Sequence, residues 1–80
     1  MPNTFKQEQK LRTTRIDYDA SNNPIYIGRA FKASVASSNA SWQIQKLTWV
    51  SGNCTNVERA DGNDLFDNIW DNRATTVTYS

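Results

Sequence analysis

The chain has no histidine and a single cysteine, Cys54, among its 80 residues. Without histidine it lacks the commonest general base and the commonest zinc ligand. One cysteine cannot close an intrachain disulfide, and with no histidine it has no standard partner base for nucleophilic chemistry. No apolar run approaches the roughly 20 residues of a membrane-spanning helix. The opening Met1-Pro2-Asn3-Thr4-Phe5-Lys6 has no hydrophobic signal core. Synthesis in a cytoplasm is therefore expected, and a lone thiol suits that reducing compartment. An excess of one charge is missing as well. Nine basic and eight acidic residues give a net charge of +1, so no global field attracts nucleic acid or an anionic membrane.

What is present is a short chain with a thin core. A domain of this length buries only about 60–65% of its unfolded surface. The usual remedies are disulfides, a metal, or burial against a neighbour. With disulfides excluded, oligomerisation or docking onto a larger assembly is the expectation. Lys6, Lys10, Arg12 and Arg15 lean the front basic, and Asp61, Asp64, Asp67 and Asp71 lean the tail acidic. Head-to-tail contact between copies would suit that asymmetry, although two ordinary solvated stretches describe it more simply.

Residues 1–12 are polar and without period, and read as an N-terminal arm; 13–80 read as one small β domain. Alternation over Thr13–Tyr18 places Ile16 and Tyr18 on one side. The turn formers Asp19-Ala20-Ser21-Asn22-Asn23-Pro24 follow, then a second strand over Ile25–Phe31. Gly28 inside that strand signals a bulge or a close backbone approach. Residues 33–41 are small and polar, with a loop as the default. Trp42–Val50 is the clearest strand. Its apolar set changes face near Lys46, which means either a bulge there or two partly buried faces. Ser51-Gly52-Asn53 turns the chain into a strand over Thr55–Ala60. After Asp61-Gly62-Asn63-Asp64, apolar residues at 65, 66, 69 and 70 have helical spacing, and Thr75–Tyr79 ends as a strand. The expected fold is mostly β: a small antiparallel sandwich or open barrel of about five strands, with one short helical turn near 65–71. Its expected core is Ile16, Tyr18, Ile25, Ile27, Trp42, Ile44, Leu47, Phe66, Ile69 and Trp70.

Candidate chemistry is sparse. Asp17 and Asp19, and the cluster Asp61, Asp64, Asp67 and Asp71, supply carboxylates, but acid–base work on a glycoside needs a cleft that so short a chain has little room for. Turn, capping and solvated roles account for them. The Asp17–Ser21 stretch has oxygen ligands at alternate positions, yet Asn22 stands where a calcium loop needs glycine and Gly28 where it needs glutamate. Neither a cofactor nor a metal is expected, and no enzymatic activity. Nucleic-acid binding could use Tyr18, Tyr26, Trp42 and Trp49 with Arg29, Lys32 and Lys46, although core packing explains the aromatics at less cost. Sugar binding could use Trp49 and Trp70 with Asn68 and Asn72.

The succession Tyr26-Ile27-Gly28-Arg29-Ala30, Trp42-Gln43-Ile44-Gln45-Lys46-Leu47, Ala60-Asp61-Gly62 and Phe66-Asp67-Asn68-Ile69-Trp70-Asp71-Asn72-Arg73-Ala74 resembles a group of small virion structural proteins of tailed bacteriophages. The resemblance spans roughly residues 15–80, and the Phe66–Arg73 stretch is its most distinctive part. The family pattern carries a Pro-Gly pair where this chain has Phe31-Lys32, which affects the 31–41 loop. The resemblance implies a virion protein made in the host bacterial cytoplasm. Its work would be protein–protein assembly in the tail, at the head–tail neck, or as capsid decoration. Its partners would be other virion proteins and copies of itself, with no membrane. The expected contact residues are Phe5, Tyr26, Arg29, Trp49, Arg59 and Arg73, residue types that dominate protein interfaces. A glycan-binding module of a host-adhesion device is the first alternative, and a small β-barrel nucleic-acid binder the second.

Overall fold

A computed structural model describes residues 12–80. The expectation of an N-terminal arm falls almost wholly outside that range. Four strands follow one another as an antiparallel meander: β1 (Thr13–Tyr18), β2 (Pro24–Ala30), β3 (Ala40–Val50) and β4 (Asn53–Arg59). A two-residue strand, β5 (Asn68–Ile69), pairs with the first part of β3 and runs into a single 3-10 turn, Trp70–Asn72. The protein is thus mostly β, with five strands and one helical turn among the described residues.

The turns follow from their side chains. Asp19 Oδ1 accepts the backbone N–H of Ser21 at 2.8 Å and of Asn23 at 3.0 Å, while Asn22 takes a φ of 63°. Asparagine tolerates that left-handed conformation better than most residues. Val50 opposes Asn53 across the β3–β4 turn, leaving only Ser51 and Gly52 in the loop, with φ of 50° and 82°. Two consecutive positive φ values give the turn whose twist matches the strands it joins.

The register assigns the side chains to two faces. Tyr26, Gly28 and Ala30 of β2 share a face with Arg15 and Asp17 of β1 and with Trp42 and Ile44 of β3. The C-terminal segment folds back over this face. Its core is Ala30, Trp42, Ile44, Ala60 and Trp70, with Tyr26, Val35, Val77 and Tyr79 packed around it. The rings of Trp42 and Trp70 lie 6.0 Å apart. Each buried tryptophan removes about 200 Å² from water, roughly 5 kcal/mol of transfer free energy, so these two rings dominate so small a core. Gly28 makes the packing fit: a Cβ there would clash with the face of the Trp70 ring and press on Trp42. The close backbone approach expected at Gly28 is this contact.

Tyr79 closes the far side of the core. Its hydroxyl donates to the Arg73 carbonyl at 2.9 Å, and its ring lies 5.8 Å from that of Tyr26. Burial, with a smaller contribution from Tyr26, holds its ionisation well above the ordinary tyrosine range. The folded-state value is raised, so the associated stability is complete below the unfolded value of about 10 and lost as pH climbs toward the folded value. Chemical denaturation should therefore show stability level with respect to this group up to about pH 9.5 and falling above pH 10. Tyr79→Phe should flatten that fall, after a fixed loss of about 1 kcal/mol for the hydrogen bond.

The structure corrects several expectations. Ile16 and Tyr18 are exposed rather than in the core, and Ile25, Ile27, Leu47, Phe66 and Ile69 are only half-buried. Alternation separates two faces but does not say which one the rest of the chain will cover. No bulge sits at Lys46, where the register runs unbroken toward both neighbouring strands; the irregularity falls at Thr48/Trp49. Both faces of β3 are partly buried instead. The final strand shrinks to one bridge, Ala60 with Tyr79. The N–H groups of Thr75, Thr76 and Val77 all converge on the Asn72 carbonyl, at 3.1, 3.1 and 3.2 Å, and coil that segment into a turn.

Candidate functional site

The second face of the sheet carries Ile16 and Tyr18 from β1, Ile25 and Ile27 from β2, Leu47 and Trp49 from β3, and Val57 from β4. Ile16 stands directly opposite Ile27, and Leu47 opposite Val57. None of these seven belongs to the core cluster. Ile16, Tyr18 and Val57 remain 44%, 53% and 50% exposed. Scattered surface hydrophobics need no explanation, but a contiguous set on one flat face marks an interaction surface. The strands bring no carboxylate to this face, although Asp64, from the loop after β4, reaches its rim to pair with Arg59 and to accept from Gln43 Nε2 at its carbonyl. The polar members of the face are Thr14, Gln43, Gln45, Arg29 and Arg59.

The candidate contact residues divide between the two faces. Arg29 and Arg59 are exposed on the open face, and Arg59 pairs with Asp64. Trp49 lies half-buried on that face with its indole N–H donated to the Pro24 carbonyl at 2.7 Å, a bond that locks the ring against β2. Tyr26 and Arg73 belong to the covered face. Arg73 sits over the Trp70 ring at 4.5 Å and donates to Asp17 Oδ2 from Nε and Nη2, both at 3.1 Å. Both are half-buried and bind the domain's own parts together. Phe5 lies outside the described residues. Sequence reasoning placed Ile16, Leu47 and Ile27 in the core, although they line the open face. The signal was visible in the face change along β3 near Lys46.

Four of the carboxylates have local partners. Asp17 serves Arg73 and Asp19 the β1–β2 turn; Asp64 pairs with Arg59, and Asp67 accepts from Asn68 Nδ2 at 3.1 Å. Among the described residues, no three of the acidic or thiol side chains gather as a metal site would require. No described helix is long and apolar enough to cross a membrane. Trp70, one of two tryptophans considered for sugar stacking, is buried, and so is Trp42 from the set considered for nucleic acid. Phe31 and Phe66, with ring centroids 4.4 Å apart, border a half-open recess of about 350 Å³ with Lys32, Val35, Asn39 and Ser41.

No family model matches the chain, and neither curated proteins nor solved structures yield a match.

Proposed function

We propose that this chain is a structural subunit of a tailed-bacteriophage virion, working through protein–protein contact in the tail, at the head–tail neck, or on the capsid surface. The observation that carries the assembly reading is the apolar face that the described residues leave open, on a sheet whose core among those residues numbers five. A domain this small gains stability when neighbours cover such a face, because binding to the folded state alone shifts the folding equilibrium. Repetition in a symmetric particle supplies those neighbours in fixed positions. The sequence resemblance over residues 15–80 narrows assembly to a virion. No catalytic role is proposed.

Mass spectrometry of purified particles from the phage or prophage that carries the gene tests this directly. Peptides of the chain should persist through density-gradient purification at a constant ratio to the major tail or capsid protein. Their loss during purification, with the chain found only in the soluble lysate, would contradict the proposal.

A further inference from the structure

Resting on the assembly reading, we propose that the open face is a self-association surface, on which a second copy of the chain stacks to make a two-layer sandwich with its strands running opposite to those beneath. Three observations converge. The first is size. Four strands about 4.8 Å apart and roughly 20 Å long give a face of about 400 Å² in plan, which side-chain relief raises toward the roughly 800 Å² per partner of a standard interface.

The second is composition. The centre of the face is Ile16, Ile27, Leu47 and Val57, all aliphatic, flanked by Tyr18 and Ile25. Identical faces of this kind bury each other's apolar surface and strand no charge between the layers, as sheet-on-sheet packing requires.

The third is charge placement. A two-fold axis in the interface can run along the strands or across them. Along the strands, it would lay the Arg29 end of one copy over the Arg29 end of the other. Across them, it lays Arg29 over the partner's β1–β2 turn, where Asp19 carries the only carboxylate of residues 18–25. Arg59 at that end already pairs with Asp64, so the first arrangement opposes the two Arg29 side chains, and the second brings each near the turn that carries Asp19.

Analytical ultracentrifugation of the full chain from micromolar to submillimolar concentration tests the proposal. Near-ultraviolet circular dichroism of the packed Trp42 and Trp70 on the other face serves as an independent check of folding. The wild type should sediment as a dimer at the upper concentrations. Ile16→Lys with Val57→Lys should leave a folded monomer, with dimerisation weakened at least a hundredfold. Ile16→Thr with Val57→Thr, which keeps β-branched strand residues, should weaken it about tenfold and replaces the lysine pair if that variant unfolds. Arg29→Glu should also weaken it about tenfold.

A wild type that is monomeric throughout overturns the proposal, as does a dimer indifferent to substitutions on this face. A monomer in which Ile16 and Tyr18 nonetheless resist side-chain labelling assigns the face to the chain's own residues 1–11, and also overturns it. A monomer found in purified particles overturns self-stacking alone; a dimer absent from particles overturns the virion reading alone.

Discussion

Replacing Gly28 by alanine is expected to destabilise the domain by about 3 kcal/mol or more, the upper end of the overpacking range. The added methyl has no free volume, because it clashes with the Trp70 ring and crowds Trp42. Neither ring can yield cheaply. Trp42 donates its indole N–H to the Ala36 carbonyl at 3.1 Å, and Trp70 is held under the Arg73 guanidinium. A chain of this length has a total stability of about 4–12 kcal/mol, so the substitution takes a large share. The check is urea denaturation of wild type and variant with equal slopes. Trp70→Leu in the Gly28→Ala background should recover part of the loss, because the smaller side chain vacates the space the methyl needs. A Gly28→Ala protein as stable as wild type would mean that Trp70 does not lie against β2.

Arg73→Met should cost about 2 kcal/mol, from one charged hydrogen-bonding partnership and one stacked cation. Arg73 joins three parts of the fold at once. It reaches Asp17 on β1, donates Nη1 to the Trp70 carbonyl at 3.2 Å, and covers the Trp70 ring. Asp17→Asn should cost less, because it leaves the last two contacts in place. In a double-mutant cycle the pair should show a coupling of about 1 kcal/mol, since the ion pair is only partly shielded from water. Raising salt should erode that coupling and leave most of the remaining cost of Arg73→Met untouched. An Arg73→Met cost no larger than that of Asp17→Asn would reduce its role to the ion pair.

The strand content was legible because it rests on local rules. Alternation at Ile16 and Tyr18, the turn formers from Asp19 to Pro24, and Ser51-Gly52 fix the meander with little help from distant residues. The identity of the core was not legible in the same way. On β2 the large residues Ile25 and Ile27 outweigh Gly28 and Ala30 in any reading of the sequence, yet the covered face is the one bearing the small pair. Two tryptophans packed at a tilt fill the space above them. Small residues on a strand record a large partner elsewhere in the chain, and only the fold reveals which. Arg73 was expected as a contact because its residue type dominates interfaces; its partners Trp70 and Asp17, the second distant in sequence, emerge only from the fold.

The open face was half-legible. The apolar shift from Trp42 and Ile44 to Leu47 and Trp49 signalled either a bulge or two apolar faces, and the unbroken register at Lys46 selects the second. The sheet is therefore two-sided. One side is closed by the chain's own C-terminal segment, and among the described residues the other remains apolar with half-exposed aliphatic residues.

Hydroxyl-radical footprinting of the full chain as a function of concentration tests most directly whether that second side is an assembly surface. Trp42 and Trp70 should resist labelling at every concentration. Tyr18, Ile16 and Val57 should label readily in dilute solution and become protected together as concentration rises. Labelling of these three that stays constant from the dilute to the concentrated limit would contradict assembly of the chain through this face.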